Sequence, residues 1–294
     1  MALRRIYDNW QQLYAASGTP RSAQRREWRG YLHARPMIAY WGDSWFSTPL
    51  YRNLCWNSFA RIDGMSIRLG GPGMTAAQML TPAACRNNAE RFRSREFDLL
   101  CLSIGGNDCL GERLAGIFAG KGRMDADAAF VAVVEHGVFA RLLARYDTVL
   151  SAMSTVGGNF RVVGHGYAPL SRHSIGRPGA LTVANLGLAA MVMGTVGPWL
   201  WPVMRPVLGS KAEAERFAWR LLVDGFRDQV LAPSRAAYPR LFSYADFSAI
   251  GSLDDPGFWY DEIHPTEAGF GLLAAGYNAM IRNALPVAKR GAVG

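Results

Sequence analysis

The chain has 294 residues, half of them hydrophobic and 12% aromatic. This length suits one large domain with insertions, and the composition excludes a disordered chain. With 32 basic and 23 acidic residues it carries +9, a charge that would suit nucleic acid, an anionic membrane surface or an acidic substrate.

That charge is concentrated at the start. Residues 1–35 hold seven arginines against Asp8 and Glu27, seven less two, so this arm supplies +5 of the +9. Within it Ile6, Trp10, Leu13 and Tyr14 have helical spacing. The spacing predicts a helix packed on the domain, with a membrane-binding arm as the alternative. The arm, residues 1–36, lacks the apolar stretch and small-residue cleavage site of a secretory signal, which makes the cytoplasm the default location and signal-independent export the alternative.

Short apolar runs then alternate with helix-length segments. Strands are predicted at 37–41, 66–69, 99–104, 160–164 and 241–245, and helices over 75–92, 126–156 and 211–231. Such alternation specifies an α/β fold, a parallel sheet with helices on both faces. Ligands of such sheets bind beyond the carboxyl ends of the strands, so residues there matter most. No internal repeat or low-complexity linker interrupts the chain.

One segment breaks the pattern. Residues 178–204 run 27 positions without a charge, bracketed by Arg177 and Arg205. By length it is a membrane-span candidate, but Pro198, Pro202 and four glycines count against one uninterrupted helix. The four cysteines, 55, 85, 101 and 109, form no CxxC pair and no ligand-like spacing with histidine, so neither a metal site nor a redox motif is expected. Cys101, in the run LLCLSI, reads as a core thiol. Cys55 and Cys85 could form a disulfide, but nothing in the sequence selects it.

The strand ends carry the chemistry. The first ends in Gly42-Asp43-Ser44, flanked by Trp45 and Phe46; the second is followed by GGPGMT at 70–75; the third ends in Gly105-Gly106-Asn107-Asp108. After the fifth comes WYDEIHPTEAG, with Asp261 three residues before His264. Serine-type ester hydrolysis needs a hydroxyl, a base, a carboxylate to orient the base, and donors for the oxyanion. Ser44, His264, Asp261 and the loops at Gly73 and Asn107 could supply all four. Each block alone has a structural reading: a turn at Gly42-Asp43-Ser44, a tight loop at Gly105–Asp108, a capped helix start at Asp261. All four at successive strand ends favour chemistry.

Together these blocks resemble the four sequence blocks of the SGNH, or GDSL-type, serine hydrolases, in order over residues 37 to about 280. The resemblance implies a flavodoxin-like three-layer sandwich with five parallel strands over 37–285, followed by a tail at 286–294. It implies Ser44 as nucleophile, His264 as base and Asp261 as its orienter. The oxyanion hole would be the backbone N–H groups of Ser44 and Gly73 with the side-chain amide of Asn107. Gly73 is taken from several nearby glycines because Thr75 and a helix follow it, as in that family. No cofactor and no metal are implied. Two features depart from the pattern: Trp45 replaces the usual leucine after the serine, and an apolar insert, about 171–210, lies between strands four and five.

The expectation is therefore a serine ester hydrolase acting on a small-molecule or lipid ester with an apolar acyl group, through an acyl-enzyme on Ser44. Alternatives are a carbohydrate O-deacetylase of the same family, or a membrane-inserting or interaction protein whose hydrolase site is inactive. Trp45 and Phe46 are candidate substrate contacts. So is His165 at the end of the fourth strand, although a hydrogen-bonded structural histidine is the stronger reading there. Asp43 could orient the nucleophile loop or cap a helix. A single membrane crossing at 178–204 would separate Ser44 from His264, so the insert is expected as packed core, a lid, or a surface in peripheral contact with a membrane. Nucleic-acid binding is not expected. Gly71–Ala76 fits the dinucleotide fingerprint GxGxxA, but it follows the second strand and lacks the later acidic residue. No GK[ST] supports a phosphate loop, and Phe46 fills the second glycine position of GxSxG.

Overall fold

Residues Met37–Gly42 are buried at every position, as a strand covered on both faces of a parallel sheet must be. They form β2, at the centre of a six-stranded, wholly parallel sheet ordered β1-β3-β2-β4-β5-β6. The other strands are β1 (Arg5–Tyr7), β3 (Met65–Gly70), β4 (Leu99–Ser103), β5 (Arg161–His165) and β6 (Phe242–Ala245). The computed structural model describes residues 5–19, 21–49, 51–179 and 198–294. Helices on both faces complete a three-layer α/β fold, as expected, with six strands in place of five.

The added strand comes from the N-terminal arm. Ile6 pairs with Ser66 along the outer edge of β3 instead of joining a helix. The helix starts later, at Trp10, because the Asn9 side chain caps it by accepting the Gln12 N–H. Trp10 then packs against Phe92 and Phe97, and Leu13 is fully buried. Part of the arm's charge is matched by the domain, through Arg29 with Glu96 and Asp8 with Arg68.

Two of the three long predicted helices are divided. Residues 75–92 become Ala76–Met79 and Pro82–Ser94, since Thr81 caps a new helix whose first residue, Pro82, has no N–H to continue the old one. Residues 126–156 become Ala126–Glu135 and Val138–Ser154, broken at His136 and Gly137. The third prediction is a helix whose hydrogen-bonding changes along its length: α over Lys211–Trp219, then π over Arg220–Leu231.

The register fixes where the loops emerge. Gly42 lies opposite Gly70 on one side and Ser103 on the other, so β2, β3 and β4 end flush. From β2 the chain runs to β3 on one side and from β3 back past β2 to β4 on the other, and that reversal opens a crevice beyond the carboxyl end of β2. All four cysteines are free and buried. The conceivable Cys55–Cys85 bridge is absent, for the two lie on helices that pack against different partners, Glu267–Ala284 and Val138–Ser154 respectively. Among the described residues no helix is long and apolar enough to cross a membrane. Of the apolar insert, residues 180–197 lie outside the described residues, and with them most of what the lid or membrane-contact expectation concerns.

Candidate active site

Asp43 follows β2 and caps a one-turn helix, Ser44–Ser47, accepting the Trp45 N–H at 3.0 Å. Ser44 is thereby the first helical residue, with its hydroxyl at the crevice. Asp43 is fixed from three sides: its Oδ1 also accepts from the Ser103 hydroxyl at 2.9 Å, and its Oδ2 from Tyr167 at 2.5 Å. Burial raises its carboxyl to about pKa 6, against these three donors, which favour the anion. Both readings of Asp43, cap and orienter of the nucleophile loop, describe the same bonds.

The partner loop follows β6. Trp259 and Pro265 pair across it, and the Tyr260 N–H donates to the His264 carbonyl at 2.8 Å. Inside that tight loop Asp261 Oδ1 accepts the backbone N–H groups of Ile263 and His264, at 2.9 and 2.8 Å. Its carboxylate also meets His264 Nδ1 at 2.9 and 3.0 Å, and His264 Nε2 stands 2.7 Å from Ser44 Oγ. A carboxylate can only accept, so Nδ1 carries the ring proton and the Nε2 lone pair faces the serine hydroxyl. The chain Asp261–His264–Ser44 is continuous and all three residues are buried.

The other two blocks are tied to each other. The Asn107 side-chain amide donates to the Met74 carbonyl at 3.0 Å, and Asp108 Oδ2 accepts the Ala76 N–H at 2.9 Å. Gly105 has φ +122, and a Cβ there would come within 2.5 Å of Phe226, so this turn requires glycine. Gly73, at φ +75, faces the same cleft as Ser44, Asn107 and His264. The backbone N–H groups of Ser44 and Gly73 have no acceptor among the described residues, and the Asn107 amide uses only one of its two N–H bonds. Three uncommitted donors therefore surround the serine.

Two cavities meet at Ser44 and Asn107. One is an apolar slot bounded by Trp45, Leu110, Tyr167, Leu200, Leu221 and Leu222. The other runs past His264 between Tyr51, Pro72, Gly73 and Trp199. Trp199 stands edge-on to the His264 ring, centroids 5.5 Å apart.

Of the three candidate substrate contacts, Trp45 lines the apolar slot, whereas Phe46 and His165 line neither of these two cavities. Phe46 is fully buried, edge-on to Tyr40 of β2. His165 is stacked between Trp45 and Phe247 at 5.3 and 5.5 Å, buried in the core. Its Nδ1 faces the Gly166 carbonyl at 3.3 Å, its Nε2 has no partner among the described residues, and burial lowers its pKa to about 3. Sequence reasoning missed Tyr167, Tyr51, Leu200 and Glu262. Glu262 lies inside the DEIHP block and Leu200 inside the apolar insert, but nothing in the sequence singled out either residue.

Solved structures similar to this chain include lipases and esterases. An extracellular lipase from Streptomyces rimosus is 15% identical, over 85% of this chain and 99% of that one, with a TM-score of 0.48. A phospholipase A1 from Streptomyces albidoflavus NA297 is 18% identical, over 83% and 99%, with a TM-score of 0.46. A carbohydrate esterase family 3 protein from Talaromyces cellulolyticus is 14% identical, over 85% and 98%, at 0.42. No family model matches the sequence, and no curated protein does.

Proposed function

We propose that the chain is a serine hydrolase of carboxylic esters with apolar acyl groups. The observation that carries the reading is the Asp261–His264–Ser44 chain, with 2.9 and 2.7 Å contacts at the two ring nitrogens, beside three uncommitted N–H donors. As the Ser44 oxygen attacks the ester carbonyl carbon, its proton passes to His264 Nε2. Such general-base assistance contributes about 10²–10⁴ in rate. Asp261 keeps the imidazole in the right tautomer and stabilises the imidazolium that forms.

The carbonyl oxygen becomes an oxyanion, which the N–H groups of Ser44 and Gly73 and the free N–H of Asn107 would receive. An amide suits position 107 because a carboxylate would repel that charge. Collapse of the intermediate breaks the bond to the alcohol, which leaves with the proton from His264. Water, deprotonated by the same histidine, then attacks the acyl-serine and releases the acid. The apolar slot beside Ser44 would hold the acyl chain away from water, where a buried CH₂ contributes about 0.8 kcal/mol.

Initial rates on p-nitrophenyl esters from acetate to palmitate, beside Ser44→Ala, test this. Activity that peaks beyond acetate and vanishes in the variant is expected. A maximum at acetate would move the substrate class to deacetylation. No hydrolysis of any ester by folded protein would overturn the reading.

A further inference from the structure

In sequence Glu262 stands between Asp261 and His264 of the proposed triad, and it lines neither of the two cavities at Ser44. It is fully buried, and its carboxylate is consumed by four backbone N–H groups. Oε1 accepts from Gly176 at 2.8 Å and Trp201 at 2.9 Å; Oε2 accepts from Leu200 at 2.6 Å and from Trp199. Gly176 precedes the apolar insert's undescribed residues and Trp199–Trp201 follow them, so one side chain joins both ends of that segment to the triad loop.

The two amides on Oε2 belong to residues that line different cavities. Leu200 is a wall of the apolar slot, and Trp199 is a wall of the cleft past His264. Beyond Glu262, the Trp199 backbone is held by the Gly111 N–H, which donates to its carbonyl at 3.3 Å. A buried carboxylate with four donors is among the strongest anchors a neutral backbone can be given. Glutamine cannot replace it: its amide nitrogen would present N–H bonds to amides that also donate.

We propose that Glu262 is a positioning residue that fixes Leu200 and Trp199 as the two walls flanking Ser44, and so sets which acyl group and which alcohol the site admits. This rests on the hydrolase reading: the slot takes the acyl chain, and the cleft past His264 takes the alcohol. A rigid apolar wall discriminates one methylene by about 10–200-fold, and a wall that moves gives that up.

The experiment reads two ester series and amide exchange together on the full chain. The acyl series is the p-nitrophenyl esters from acetate to palmitate; the alcohol series is butyrate esters of primary alcohols from methanol to octanol. Glu262→Gln should flatten both, lowering the ratio of best to worst kcat/KM by about tenfold in each. The amides of Gly176, Leu200 and Trp201 should exchange far faster in that variant. Leu200→Ala should change the acyl profile alone, and Trp199→Ala the alcohol profile alone.

A folded Glu262→Gln protein with both wild-type profiles, or with those amides still protected, overturns the proposal, as do crossed or absent effects of the two wall variants. If Glu262→Gln does not fold, Glu262→Asp is read by the same criteria, since it keeps the charge and shortens the arm by one methylene. A wild-type protein inert on every ester would defeat the hydrolase reading and the selectivity with it; amide exchange would still decide whether Glu262 anchors the segment.

Discussion

Two buried histidines stand within reach of the same helix turn, and they have opposite surroundings. His264 meets a carboxylate at Nδ1 and a hydroxyl at Nε2. His165 meets a backbone carbonyl at Nδ1, no hydrogen-bond partner at Nε2 among the described residues, and aromatic rings around it. Burial alone disfavours an imidazolium, and for His165 it holds the ring neutral down to about pH 3. A buried imidazole becomes a useful base only where a carboxylate waits for the cation it will form. The difference lies in the third partner, not in burial or in the histidine.

Breaking the contrast at its strongest point removes the hydroxyl that His264 Nε2 faces. Ser44→Ala should lower kcat by about 10⁵–10⁶-fold, measured on the best p-nitrophenyl ester, because residues that act as a unit fail together. Residual activity within tenfold of wild type would mean that another group is the nucleophile. Asp261→Asn comes next, at about 10⁴-fold. The new amide would donate to Nδ1, which moves the ring proton to Nε2 and points it at Ser44 Oγ. A small effect with a wild-type pH profile would show that Asp261 only shapes the loop through the Ile263 and His264 amides.

Asn107→Ala removes a proposed donor to the oxyanion but leaves both histidines as they are. The loss expected is about 10²–10³ in kcat, with KM little changed, since the donor acts mainly in the transition state. It also removes the bond to the Met74 carbonyl, so thermal stability should be read alongside. A raised KM with unchanged kcat would assign Asn107 to ground-state binding instead.

Much of this was legible in the sequence because it is local. The strands β2 to β6 are short apolar runs, and the small polar residues that end them mark the crevice. The rest depended on partners far along the chain. The β1 strand is three residues long and owes its conformation to the open edge of β3. Glu262 is held by backbone amides 61 to 86 positions away, and a backbone amide leaves no trace in a residue pattern. Trp45 and Phe46 read alike, yet successive residues of a helical turn point about 100° apart. One therefore lines the slot while the other fills the core.

The smallest effect on rate, and the sharpest test of the contrast, is His165→Phe. No reacting atom touches this ring, so kcat/KM should change by less than an order of magnitude, while the pH dependence of stability loses the contribution of His165. His165 holds its proton below about pH 3 when folded and below its ordinary 6.5 when unfolded. Between these values the unfolded chain binds the extra proton, so the residue's contribution falls as pH falls, by about 1.4 kcal/mol per pH unit. Asp43 works the other way. Its carboxyl titrates near pH 6 in the fold against 3.8 ordinarily, so in that window the folded chain binds the extra proton and stability falls as pH rises. In the wild type the two slopes oppose each other between about pH 4 and 6; in His165→Phe that of His165 is gone and that of Asp43 is no longer opposed by it. The larger phenylalanine ring costs stability equally at every pH, so it shifts the curve without tilting it. Urea midpoints from pH 4 to 7 should therefore show the variant gaining on wild type steadily as pH falls below 6.5. A gap independent of pH would mean that the His165 ring is not kept neutral by its burial, and the distinction between the two histidines would lose its physical basis.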